Sequence, residues 1–379
     1  MKLLGYIVKS LWGHRSRTML TVAGSAVALF VFCFIQSIQE GMRDLRSRQE
    51  ANGSLIVFQA NKFCPATSHL PQDYDQQIRK FNGVKDVIPI QVFTNNCRAS
   101  LDVVVFYGVP PHKLRTARDF EFIQGDWNEF ESHQDAAIVG QAVAARRGIE
   151  VGDKFSIGDL SVNVAGIYRS DNPAEENYIY SHLEFLQRRQ GANLVGTVTQ
   201  LEVLLQPDAD LEAVSTRIDD LYRAGPVETN TRSKGVFQAK SLGDLSQLIE
   251  MAHYLGLACV GLVLALVATT TLMSVEDRIQ EHAVLRTLGF SGSKVFGVVL
   301  AESTLLSLAG GILGVGIALI TLKLSSLSVG AEAVTVAFIP SFRLAGIGLL
   351  LALVTGMGAG VVPAWYASRT EIVPALRSV

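Results

Sequence analysis

The sequence predicts an integral membrane α-helical protein, with four transmembrane helices in a 1+3 layout and a large α+β extracytoplasmic domain between helices one and two. Three observations predict it. At 49% hydrophobic and 18% charged, the 379 residues are too apolar for an ordinary water-soluble chain. Three charge-free runs of 22, 25 and 25 residues, and one more broken only by Glu302, are each long enough to cross a hydrocarbon core of roughly 30 Å. Between the first two runs lies a long stretch of ordinary polar, mixed-charge sequence.

Residues 1–17 form an N-terminal segment, and the run TMLTVAGSAVALFVFCFIQSIQ places helix one at 18–39. A cleaved signal peptide is the rival reading, but the run exceeds a usual h-region and no A-x-A-like site follows, so the helix is expected to stay attached. Residues 40–250 read as short strands and helices. An apolar AAIVG strand leads into a helix QAVAARR closed by Gly148, then into strands around KFSI and LSVNVAGIY turned at Gly158-Asp159. LPQDYDQQIRKFNGVKDVIPIQVF reads likewise as a helix, a glycine stop and a strand. Helix two occupies 251–275, a charged cytoplasmic segment 276–294, helix three 295–322, a short extracytoplasmic loop 323–343, helix four 344–368 and a tail 369–379.

Lys2, Lys9, Arg15 and Arg17 crowd the start, which by the positive-inside rule places the N-terminus in the cytoplasm. Four crossings return the C-terminus there and put 40–250 outside, in a multi-pass membrane protein with both termini cytoplasmic. The formal net charge of -2 gives no basic field for nucleic acid, which is not expected as a partner. The nearest approach to a nucleotide-binding loop, GIEVGDK at 148–154, lacks the Walker spacing and the closing Ser/Thr and reads as a turn. HExxH, GxSxG and metal-ligand spacings are missing from the sequence, so neither an enzyme nor a metal site is expected.

The segment 276–294 carries the most information. A charged helix of about fourteen residues joining two spans has little reason to exist unless something soluble docks on it. Val284, Leu285 and Leu288 share one helical face, continued by Glu281 and Asp277, and Arg286 is placed to meet a protein or a lipid phosphate. The competing reading is a helix lying among the headgroups. Glu302, about two turns into span three, is either an intramembrane polar residue with a role between helices or the interfacial start of that span. Gly310 with Gly314, and Gly356 with Gly360, have the spacing that lets helices approach closely, within one four-helix unit or between two copies. Cys64 and Cys97 are the two cysteines of the external insert, where oxidation is permitted; they read as a disulfide or as two buried thiols.

These residues resemble the permeases of the MacB/FtsX/LolCDE superfamily, the mechanotransmission or type VII ABC transporters. The sharpest stretch is RIQEHAVLRTLGFSGSKVFGVVLAESTLLSLAGGILG, where Arg278, Glu281, Leu285, Arg286, Leu288, Gly289, Glu302, Gly310, Gly311 and Gly314 fit the family pattern. Pro363, Ala367, Ala375, Leu376 and Arg377 fit its closing elements, while His282, Thr287 and the shifted Pro374 depart from it and leave the subfamily open. The resemblance implies a non-catalytic permease subunit whose ATP and Mg sit on a partner ATPase, gripped at Arg278, Glu281, Leu285, Arg286, Leu288 and Gly289. It implies an external domain like the MacB periplasmic core, with a subdomain inserted at about 102–190. It further implies the bacterial cytoplasmic (inner) membrane as its location, pairing with a second permease copy or a relative, contact with membrane lipid and, in some members, a periplasmic adaptor and outer-membrane duct. Its cargo would be hydrophobic, peptide, lipid or lipoprotein; an FtsX-like regulator of a cell-wall hydrolase, moving no cargo, is the alternative. A scaffold without an ATPase is the reading that the residues alone also permit.

Overall fold

The computed structural model describes residues 15–51, 53–62, 67–95, 103–287, 290–325, 327–331 and 334–369. Among the described residues, four helices are long and apolar enough to cross a membrane. Span one is Arg15–Ala51, span two Gly243–Asp277, span three Gly292–Ser325 and span four Phe342–Arg369. Each overruns its charge-free run, because hydropathy marks only the stretch that lipid can accept, while the helix continues for as long as the backbone is allowed to. Beyond Glu40, span one continues through GMRDLRSRQEA, nearly all good helix formers, to Ala51.

The chain divides into two compact units. The membrane unit comprises residues 1–39, 249–324 and 339–379, and the extramembrane unit 40–248 and 325–338. In the extramembrane unit the main sheet has ten strands. In chain order its members are β1 (Ser54–Gln59), β3 (Val84–Thr94), β4 (Val105–Val109), β5 (Glu121–Gly125), β6 (Ala136–Gly140), β7 (Lys154–Ile157), β8 (Leu160–Arg169), β9 (Tyr178–His182), β11 (Gln200–Leu205) and β12 (Thr229–Ser233). Their spatial order is β12-β1-β11-β3-β4-β9-β6-β8-β5, with β7 on β8. The long β3 joins the two halves, pairing β11 through residues 84–90 and β4 through 91–94. β2 (Leu70–Pro71) and β10 (Thr197–Val198) form a small separate pair.

Both faces of the sheet are covered around β4, β6 and β9, and the period of two sorts their residues. Val105, Ile138, Tyr178 and Tyr180 join one core, and Phe106, Val139 and Ile179 join the core on the other side. This explains why AAIVG is apolar at every position. The helix Gln141–Arg147 ends at Gly148, whose φ of 64° is the left-handed conformation that a C-cap needs and a Cβ disfavours. A third core gathers Leu55, Val57, Ile78, Val87, Leu201 and Ile218 under the helix Leu211–Tyr222, with Tyr74 stacked on Tyr222 at 3.8 Å between centroids. That helix is capped by Asp210, whose carboxylate accepts from the Glu212 and Ala213 amides.

Between spans three and four the sequence suggests only a loop, but the structure forms a hairpin of β13 (Ser328–Ala331) and β14 (Val334–Ala337). The hairpin belongs to the extramembrane unit. The Thr335 hydroxyl donates to the Ala174 carbonyl at 3.1 Å, and Arg146 donates to the Ser328 hydroxyl at 3.0 Å. Val329, Val334 and Val336 are its buried apolar side chains, and Ser328 and Thr335 beside them are buried as well, held by the two hydrogen bonds above.

Candidate functional site

Span two stops at Asp277, and a short helix, Ile279–Thr287, follows Arg278. The described helix is nine residues against the expected fourteen or so, starting after the break at Arg278 and followed by residues 288 and 289, which lie outside the described residues. Glu281 and Thr287 are exposed, and Val284 is 47% exposed, whereas Ala283 is buried. Arg286 is half-buried. Leu288, Gly289 and the side chain of Leu285 lie outside the described residues, so of the apolar face expected from the sequence, Val284 is the described member.

Arg278 is placed by the resemblance among the ATPase-gripping residues, yet it is 9% exposed and faces span three. Its guanidinium lies 3.8 Å from the Glu302 carboxylate. Sequence reasoning treats the two as separate sites, and the fold brings them together. The pairing compensates for a carboxylate whose insertion alone would cost ~2.5–3.5 kcal/mol. The preceding residue, Asp277, meets a different helix and accepts from Arg17 of span one at 2.8 Å.

The glycines at helix-packing spacing lie against neighbouring helices of the same chain. A Cβ on Gly310 would meet the Ser25 Cβ at 2.5 Å, and one on Gly314 would meet the Ala26 carbonyl oxygen, both on span one. A Cβ on Gly356 would lie 2.8 Å from the Thr304 Cα, and one on Gly360 would strike the Ser303 hydroxyl. The serines in this seam bond to the facing backbone: Ser303 to the Gly356 carbonyl at 3.0 Å and Ser307 to the Ala352 carbonyl at 2.7 Å. Small residues and interhelical hydroxyl bonds are what holds helices together where lipid removes the hydrophobic drive.

The extramembrane unit contains a charged cluster that sequence reasoning missed. Glu202 on β11 lies 2.7 Å from Arg118 and 2.7 Å from Lys234, and Arg118 also meets Glu175 at 3.0 Å. Burial raises the Glu202 carboxyl, but Arg118 and Lys234 overcome it and hold the group down at about 2. Tyr107, Tyr178 and Tyr180 stand beside it, their hydroxyls pushed up by burial. Together these groups line a cavity of about 700 Å³. No local signal marks them, since the partners stand 84 and 32 residues apart. Cys64 and Cys97 lie outside the described residues, as do Ala375, Leu376 and Arg377. No group of three or more His, Cys, Asp or Glu side chains that could hold a metal is found among the described residues.

Comparison with known proteins fits this architecture. The family model for the MacB-like periplasmic core domain matches residues 18–221, and that for the FtsX-like permease C-terminal region matches 255–372. An uncharacterized ABC transporter permease of Methanocaldococcus jannaschii is 22% identical over 330 residues, covering 82% of this chain and 81% of that protein. The lipoprotein-releasing system transmembrane protein LolE of Haemophilus influenzae is 24% identical over 349 residues, covering 80% and 79%. Among solved structures, the periplasmic region of MacB from Actinobacillus actinomycetemcomitans aligns at 13% identity with a TM-score of 0.36, covering 53% of this chain and 95% of that one. With matched models over both its extramembrane domain and its last three spans, the chain belongs to the MacB/FtsX-like family of ABC transporter permeases.

Proposed function

We propose that this chain is the permease subunit of an ABC transporter whose ATPase is a separate polypeptide, and that it turns ATP binding and hydrolysis into motion of its extramembrane domain. The observation that carries the reading is the segment Ile279–Thr287 between spans two and three, with Glu281, Val284 and Thr287 exposed. An exposed apolar side chain among charges suits a soluble partner with a groove. In this reading both termini and the segment are cytoplasmic, and the inserted domain lies outside the membrane. Two permeases, identical or related, work with two ATPases. The cargo is a hydrophobic molecule, peptide, lipid or lipoprotein expelled or extracted at the outer face; the name of the Haemophilus relative supports the lipoprotein end of that range. No nucleotide site is assigned to this chain, so ATP and Mg belong to the partner.

Gentle detergent extraction of the tagged chain from its native membranes, followed by identification of co-purifying proteins, tests this. The reading expects an ABC ATPase in near-stoichiometric amount and ATP turnover in the purified complex. Recovery of the intact chain without any ATPase, under conditions that preserve other transporter complexes, would contradict it.

A further inference from the structure

We propose that Asp277 and Arg278 are positioning residues that clamp the root of the coupling segment to two different membrane helices, so that displacement of the segment is passed to spans one and three together. The proposal rests on the ATPase-docking reading above and concerns how the docked segment is held. Asp277 is the last residue of span two, and Arg278 is the interruption before Ile279. Successive residues at a helix end project about 100° apart. These two accordingly reach different neighbours: Asp277 receives Arg17 at 2.8 Å, and Arg278 faces Glu302 at 3.8 Å. Each pair is neutral in itself, and the signs are opposed, so neither residue can satisfy the other's partner.

A purely stabilising role explains the arrangement poorly. Asp277 is half-exposed, and exposed ion pairs add little to stability. Arg278 and Glu302 are almost fully withdrawn from solvent, where the cost of desolvation offsets most of the attraction. What such pairs supply is geometry, because a buried charge has few alternative places to go. Beside them Val275, Val295, Val299, Ala364 and Ala367 pack the ends of spans two, three and four into one apolar cluster. This packed cluster stands at both roots of the segment, since Val275 lies just before it in span two and Val295 just after it in span three.

The test uses the full chain in nanodiscs, alone and with its ATPase. The variants are Arg278→Glu, Glu302→Arg and their double exchange, and Arg17→Asp, Asp277→Arg and theirs. Three quantities are read: ATPase co-purification, permease-stimulated ATP turnover, and hydrogen exchange of the 279–287 amides. Single reversals should leave co-purification near its original level. They should lower stimulated turnover at least fivefold, the lower end of typical coupling between sites, at about 5–150-fold. They should also speed exchange in 279–287 in the chain alone, and each double exchange should restore both. If a reversal at the buried pair prevents insertion, the half-exposed Arg17 and Asp277 pair decides. Unchanged turnover and exchange in correctly inserted single variants would overturn the proposal, as would a double exchange that binds ATPase but restores neither. Loss of co-purification from the unaltered chain would instead strike the docking reading, and the exchange measurement would still judge the clamp.

Discussion

The Glu202 carboxylate and the Arg118 guanidinium meet at 2.7 Å across the extramembrane domain, with Glu202 almost fully buried. Arg118 follows the helix Pro111–Ala117, in the part of the chain that the family resemblance marks as inserted, and Glu202 comes from β11 outside that part. Lys234, at the start of the helix Lys234–Ser241, completes the contact. A second tie repeats the theme, as the buried Lys113 reaches Asp75 at 3.2 Å and the Val87 carbonyl.

Replacing Glu202 takes from the buried Arg118 one of its two carboxylates, Glu175 being the other, and from Lys234 the carboxylate it meets at 2.7 Å, which leaves excess positive charge in a buried site. Glu202→Gln should therefore destabilise the extramembrane domain by about 3 kcal/mol or more. Denaturant unfolding of the full chain in detergent, followed by the fluorescence of Trp127 with Trp12 and Trp365 replaced by Phe, reads this directly. A change within error would show that the cluster is solvated in solution.

The same pair sets a pH dependence. The folded Glu202 carboxyl is held at about 2, below its unfolded value of about 4.3. Its contribution is then fully present above pH 4.3 or so and is lost as pH falls through about 2. Acid titration of stability should show a component in this window that vanishes in Glu202→Gln. An identical acid profile in the two proteins would contradict the assignment.

The seam between spans one and three makes a sharper demand on size. At Gly314 a side chain would press on the Ala26 carbonyl, which is backbone and cannot swing away, whereas nothing lies within 4 Å of a Cβ at Gly316. Gly314→Val should cost about 1–3 kcal/mol by overpacking. Gly316→Ala should be neutral or mildly stabilising, since alanine favours helix by up to about 1 kcal/mol over glycine. Thermal unfolding in detergent separates the two, and equal midpoints would dissolve the distinction.

Topology is tested at an exposed turn. Gly158, with φ of 56°, and Asp159 join β7 to β8 at the surface. With the native cysteines replaced, Asp159→Cys should react with a membrane-impermeant maleimide added to intact cells. Labelling only after the cytoplasmic face is opened would reverse the proposed orientation.

The spans were legible in the sequence because lipid imposes a simple rule: a run of sufficient length without charge. The AAIVG strand, the Gly148 stop and the turn at Gly158 were legible because each is a local signal of burial or backbone conformation. Interactions between distant helix faces were not. Arg278 and Glu302 each stand out alone, but their meeting depends on the break after Asp277 and on the rotational setting of span three. Arg118, Glu202 and Lys234 carry no pattern at all, since sheet topology brings them together. The β13-β14 hairpin was missed for another reason, as its few alternating valines sit between two spans whose hydropathy dominates the window.

The central claim is that an ATPase docks on Ile279–Thr287, and one measurement addresses it most directly. Val284 is the described apolar residue exposed on that segment, and Thr287, close by, is exposed and donates its hydroxyl to the Val284 carbonyl. Placing a charge in a desolvated contact removes an anchor and buries an unpaired carboxylate, at a cost of about 2 kcal/mol or more, roughly thirtyfold in affinity. Quantified co-purification of the ATPase with the original chain, Val284→Asp and the control Thr287→Ala should show retention in the first and third and loss in the second, with all three equally inserted. Full ATPase retention and turnover in a correctly inserted Val284→Asp would place the docking site elsewhere and leave the segment as a helix lying among the headgroups.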